Sequence, residues 1–140
     1  GWRVGMLVGS KNNIDTILKV KSNIDSGMYY GIQKGAIEAL CLNRSWYTSL
    51  NKIYRKRREI VYKICDKLKL TYDKNSSGMF VWAKIKSLDI SSTEFVDNLL
   101  YNKEIFITPG SIFGTNGEGY VRLSLCLSQD KLKEALNKLL

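Results

Sequence analysis

Trp46, Leu50, Ile53, Ile60, Ile64 and Leu68 fall on one face of the segment 45–70, at steps of three, four and seven residues. That spacing defines a long amphipathic helix, and no other element accommodates it over such a length. A helix of this kind must lie along something apolar. The chain has 140 residues and 44% hydrophobic content, enough for a core of its own. Lys52, Arg55, Lys56, Arg57 and Arg58 form a basic cluster within the same helix. Its plain reading is a solvated face, since Arg and Lys are good helix formers. The net charge of +9 leaves a basic module that binds nucleic acid as the alternative.

Other elements are ordered around this helix. Residues 1–9 read as a short apolar strand interrupted by Arg3. Ser10 is placed to cap a helix carrying Ile14, Ile17 and Leu18, and Asp25 or Ser26 to cap a second one reaching about Leu42. Gly31, Gly35 and Ala39 make a small-residue stripe on that second helix, a packing device. After the turn signal Asn75-Ser76-Ser77-Gly78, residues 79–85 predict a strand with mixed faces. Ser91 and Glu94 have capping-box spacing ahead of a helix to about Tyr101. A short strand over 105–107 leads to Pro109, the single proline, and then to a loop over 110–119 with four glycines. Residues 120–127 alternate, with Val121, Leu123, Leu125 and Leu127 on one face, and a last helix starts at about Ser128. The second half is thus an α+β unit, a sheet covered by helices on one face.

Several chemistries are excluded. There is no histidine, which removes Ser-His and Cys-His nucleophile pairs and most zinc sites. Cys41, Cys65 and Cys126 are odd in number and far apart, and read as small buried hydrophobes rather than metal ligands or a disulfide framework. No metal is expected. No apolar run approaches the ~20 residues of a membrane helix, the opening residues do not resemble a signal peptide, and a cytoplasmic protein is expected.

Two arginines stand out. Arg122 sits in mid-strand among hydrophobic residues, just after the glycine-rich loop. Its fork suits a carboxylate held by two hydrogen bonds; a solvent-facing position on an open sheet face, or an internal salt bridge, would equally satisfy the pattern. Arg3 lies between Gly1 and Gly5, which let a ligand or another backbone come close. The loop after Thr108 is not a phosphate cradle, because it feeds a strand instead of a helix N-terminus. Its glycines shape a tight path, with Phe113 as a wall of a pocket.

Gly1-Trp2-Arg3-Val4-Gly5 resembles the stretch just downstream of the cofactor-binding lysine in class I/II aminotransferases, the fold-type I pyridoxal-phosphate enzymes. Asn23-Ile24-Asp25-Ser26-Gly27-Met28 with residues 32–40 is similar to the helix that follows. Gly78-Met79-Phe80-Val81-Trp82-Ala83-Lys84 resembles the small-domain strand. Residues 106–114 with Gly117-Glu118-Gly119-Tyr120-Val121-Arg122-Leu123-Ser124 resemble the near-terminal substrate motif. The matches come in family order and span nearly the whole chain.

The resemblance implies an α/β parent fold of which this chain is the C-terminal part. Residues 1–43 would be the tail of the large cofactor-binding domain, 44–70 a long connecting helix, and 71–140 the α+β small domain. It implies that Arg3 binds the phosphate of pyridoxal 5'-phosphate and Arg122 the α-carboxylate of the substrate. Phe113 and Trp82 would approach the substrate, and Ser22 and Asn23 would lie near the active site and the dimer interface. The implied reaction is amino-group transfer between an L-amino acid and a 2-oxo acid in a homodimer, with neither membrane nor nucleic acid as partner. The Schiff-base lysine would lie upstream of Gly1, so the chain alone is expected to be inactive.

Overall fold

The computed structural model describes residues 3–86 and 89–140. They divide into two compact units, one ending at Tyr47 and one from Thr48 to Leu140.

In the first unit, α1 spans Lys11–Ile24 and α2 spans Tyr30–Leu40, and neither buries a residue. Ser10 caps α1 as its sequence position predicts, its hydroxyl accepting from the Asn13 amide. Asp25, expected to open the second helix, instead closes the first. Its carboxylate accepts from Lys21 Nζ at 2.7 Å and from the Gly27 amide at 3.1 Å. Gly27 then takes φ 110°, which breaks the helix until Tyr30. The strand expected over 1–9 does not form among its described residues. Val4, Met6, Leu7 and Val8 are exposed, and no strand among the described residues pairs with their backbone; an apolar segment becomes a strand only beside a partner.

The long helix is α3, Arg44–Lys67. Its predicted apolar face is used unevenly: Val61, Ile64 and Cys65 are buried, whereas Trp46 and Ile53 are exposed. It ends three residues earlier than expected, in a Schellman arrangement. Lys69 takes the left-handed conformation at φ 55°, Leu70 donates to the Cys65 carbonyl at 2.9 Å, and Lys69 donates to that of Asp66.

The second unit is built on a four-stranded antiparallel sheet, in the order β1 (Thr71–Tyr72), β2 (Phe80–Lys84), β4 (Tyr120–Ser124), β3 (Thr108–Pro109). Val81 and Ala83 of β2, with Val121 and Leu123 of β4, point to one face. There they join Val61 and Ile64 of α3, Val96 and Leu99 of α4 (Ser92–Lys103), and Leu132 of α5 (Gln129–Asn137) in a single core. Helices therefore cover one face of the sheet, as the period-two pattern of the strands requires. Ser91 and Ser128 cap α4 and α5.

Three local expectations are corrected. Ile105 and Ile107 are buried and Phe106 exposed, but the ladder forms only at Thr108 and Pro109. Strand β4 stops at Ser124, whose hydroxyl accepts from the Cys126 amide, so Leu127 is exposed. Of the cysteines, Cys65 alone is buried, and burial pushes its thiol up to about 12; Cys41 and Cys126 are exposed.

The loop before β4 is two 3-10 turns, Gly110–Phe113 and Thr115–Gly117. They fold back to back, with Gly110 and Gly117 in backbone contact. A polar knot ties this loop to α4. The Glu118 carboxylate accepts from the Ser92 amide at 2.6 Å and the Ser92 hydroxyl at 3.0 Å, and that fully buried hydroxyl accepts from the Gly119 amide at 2.8 Å. The bonds from the Ser92 amide and hydroxyl, with a third from the Gly119 amide, hold the Glu118 carboxyl below the usual glutamate range. The folded chain thus binds this proton less readily than the unfolded chain. The stabilisation is complete above the ordinary glutamate pKa and is lost as pH falls through the lower folded value. Glu118→Gln should flatten this acid limb in melts taken across pH. Ser92→Ala, which removes the buried hydroxyl's bonds to the Glu118 carboxylate and from the Gly119 amide, should cost about 1–3 kcal/mol in denaturant unfolding.

Candidate functional site

The face of the sheet turned away from the core carries Phe80, Trp82 and Lys84 from β2, and Tyr120, Arg122 and Ser124 from β4. The register pairs Trp82 with Arg122 and Phe80 with Ser124. Phe113 reaches the same group from the first 3-10 turn.

Arg122 is half-buried there. Its guanidinium carbon lies 4.2 Å from the centroid of the Phe80 ring and 4.6 Å from that of Phe113. Trp82 meets Phe113 edge-on at 5.7 Å and stacks on Tyr120 at 5.5 Å, with Lys84 Nζ 6.0 Å from the Tyr120 ring. Among the described residues, no carboxylate or carbonyl accepts a hydrogen bond from Arg122. The internal salt bridge left open by the sequence pattern is therefore not formed among them. The rings shield a fixed, unspent positive charge, with donors suited to an anion. A mostly apolar cavity of about 330 Å³ adjoins it, lined by Phe80, Phe106, Ile107, Thr108 and Leu123 among others.

Of the residues singled out by sequence, Arg122, Phe113 and Trp82 are thus brought together. Arg3, Ser22 and Asn23 lie in the first unit. Arg3 is exposed, with φ 57° and no acceptor for its guanidinium among the described residues. Ser22 and Asn23 are exposed on α1, both donating from their side chains to the Lys19 carbonyl, at 3.0 and 2.7 Å.

Sequence reasoning missed Phe80. Its place beside Arg122 follows from alternation along β2 and β4 once their register is known, and the register was not legible. The basic cluster is also less free than its charge suggests. Arg57 Nη1 donates to the carbonyl oxygens of Leu125 and Cys126, and Arg58 grips those of Ser76 and Gly78. These two arginines fasten the end of β4 and the turn before β2 to α3. The reading as a nucleic-acid module has no support.

An antiparallel sheet with helices on its inner face, and on its outer face an arginine that no acceptor among the described residues engages, defines an α+β domain. The chain belongs to the aminotransferase class I and II family, whose profile it matches over residues 1–139. It is 39% identical over 139 residues to the LL-diaminopimelate aminotransferase of Nitratidesulfovibrio vulgaris strain Miyazaki F, covering 99% of this chain and 36% of that protein. With the LL-diaminopimelate aminotransferase of Halothermothrix orenii the identity is 37% over the same shares. Among solved structures, an aminotransferase from Staphylococcus aureus superposes with a TM-score of 0.81 at 31% identity, over 99% of this chain and 36% of that one. Aspartate aminotransferase from Thermotoga maritima gives 0.77 at 25% identity, over 99% and 35%. The chain therefore spans about a third of the length of the relatives it matches, and its fold is a C-terminal portion of the fold-type I transferases.

Enzymes of this family work with pyridoxal phosphate. Arg3 suits the phosphate end of that cofactor, being an exposed guanidinium with five donors and no competing acceptor among the described residues. Among the described residues, no helix is long and apolar enough to cross a membrane.

Proposed function

We propose that this chain supplies the substrate-carboxylate site of a pyridoxal-phosphate-dependent aminotransferase, moving an amino group between an L-amino acid and a 2-oxo acid. The observation that carries this reading is Arg122: half-buried, set against Phe80 and Phe113, with its donors uncommitted among the described residues.

In this reading Arg122 holds the α-carboxylate by two charge-assisted hydrogen bonds, in the same way for the amino acid and for the oxo acid. Phe113 and Trp82 form the wall beside it and exclude water from that contact, which strengthens it. Arg3 takes the cofactor phosphate. The cofactor, when bound, supplies the electron sink that amino-group removal needs. Ser22 and Asn23 belong to the margin of the site and to the contact between subunits of a homodimer, in the cytoplasm. The domain reading goes with it: 1–43 as the tail of the large domain, 44–70 as the connecting helix, and 71–140 as the small domain.

The protein at its natural length, purified with pyridoxal phosphate, should transfer ¹⁵N from labelled amino acids to 2-oxo acids. If a panel of acidic, aromatic, aliphatic and diamino-acid donors yields no transfer, the reading fails.

A further inference from the structure

A guanidinium directs all of its N–H bonds within its own plane, and its two faces carry no donors. At Arg122 two phenyl rings from different elements lie 4.2 and 4.6 Å from the guanidinium carbon, Phe80 from β2 and Phe113 from the first 3-10 turn. At such distances a ring occupies the space that a ligand would need if it approached from the side of that ring. With one ring over each face, the approach left open is along the edge that bears the donors.

Neither ring stands alone. Phe80 is fixed by the β2–β4 register, one residue pair beyond Trp82 and Arg122. Phe113 is braced by a T-shaped contact with Trp82, which itself stacks on Tyr120 at an interplanar angle of 15°. The turn that carries Phe113 is closed by the contact of Gly110 with Gly117.

An edge-on approach selects ligands by shape. A carboxylate is flat and can place both oxygens in the guanidinium plane. A tetrahedral oxyanion that makes the same two bonds must project its other oxygens above and below that plane, towards the rings. We propose that Phe80 and Phe113 are positioning residues that make Arg122 selective for planar carboxylates over tetrahedral oxyanions such as phosphate. This rests on the reading of Arg122 as a carboxylate site and adds a discrimination to it. A protein that must hold a phosphate-bearing cofactor through one arginine and a carboxylate through another gains from such a filter, because free phosphate cannot then occupy the substrate's place.

The test follows the Arg122 side-chain Nε–Hε signal in ¹⁵N-arginine-labelled full chain, assigned by its disappearance in Arg122→Lys. Acetate and inorganic phosphate are titrated separately at constant ionic strength. The expected result is saturable binding of acetate at Arg122, with phosphate weaker by about tenfold or more. In Phe113→Leu the preference should fall towards unity, and likewise in Phe80→Leu. Phe113→Leu lies on an exposed turn, so it keeps the test intact should the β2 variant unfold. Equal binding of both anions by the unaltered chain overturns the filter and leaves the carboxylate reading standing. Retained preference in a folded Phe113→Leu also overturns it. No response of Arg122 to either anion overturns the carboxylate reading, and the filter with it.

Discussion

Arg122→Ala, made in the protein at its natural length, should raise the KM for the amino-acid substrate by about 100-fold or more. Two charge-assisted hydrogen bonds to one carboxylate contribute roughly 3 kcal/mol together, and a factor of ten corresponds to about 1.4 kcal/mol. The loss should appear in KM for both the amino acid and the oxo acid, because both present the same carboxylate. Cofactor retention should not change, since Arg122 is assigned no part in it. Arg122→Lys should recover only a fraction, an ammonium being a point charge without the planar fork. Stability should change little, because no hydrogen bond or ion pair within the described residues is lost, only ring contacts with Phe80 and Phe113. Steady-state kinetics with a melting curve checks all of this, and a KM within about twofold of the parent would remove Arg122 from substrate binding.

Gly117→Ala should destabilise the second unit by about 3 kcal/mol or more, at the upper end of what overpacking costs. A methyl group on Gly117 would overlap the Gly110 carbonyl, and one on Gly110 would overlap the carbonyls of Gly117 and Tyr120. All of these neighbours are backbone, so no side chain can swing aside. Against a total stability of about 5–15 kcal/mol this is a large share, and for a domain of this size it should lower Tm by about 10 °C or more. Gly114 provides the contrast within the same loop. It has φ 112° and ψ 174° with open space where a Cβ would sit, so Gly114→Ala carries backbone strain of about 1–3 kcal/mol without a clash. Equal losses for the two variants would refute the close-approach explanation.

Features that depend on neighbours in the chain were legible in the sequence. Ser10, Ser91 and Ser128 begin helices because a hydroxyl two or three residues before a free amide is local chemistry. The inward alternation of Val121 and Leu123 was legible for the same reason. Asp25 misled because a short carboxylate serves either end of a helix, and here Lys21 and Gly27 decide which. What the sequence left hidden depends on tertiary register. Arg57 and Arg58 are set apart from the exposed Lys56 by the carbonyls that they reach across space, and Phe80 matters only because the β2–β4 register sets it opposite Ser124, beside the Trp82–Arg122 pair. The two-residue β1 has too few residues to show a period. Of the candidate site, Arg122 and Phe113 stood out in the sequence, where a charge among apolar residues and an aromatic in a glycine loop break the pattern around them.

Both borders of the sheet are strands of two residues, β1 and β3, and Pro109 occupies one of the two positions in β3. Proline has no N–H to offer, and a border this short gives an incoming strand almost no rungs to build on. The sheet therefore cannot readily grow outward by recruiting other chains. The tendency to aggregate should instead concentrate where apolar side chains stand uncovered, along Met6, Leu7 and Val8 in the first unit.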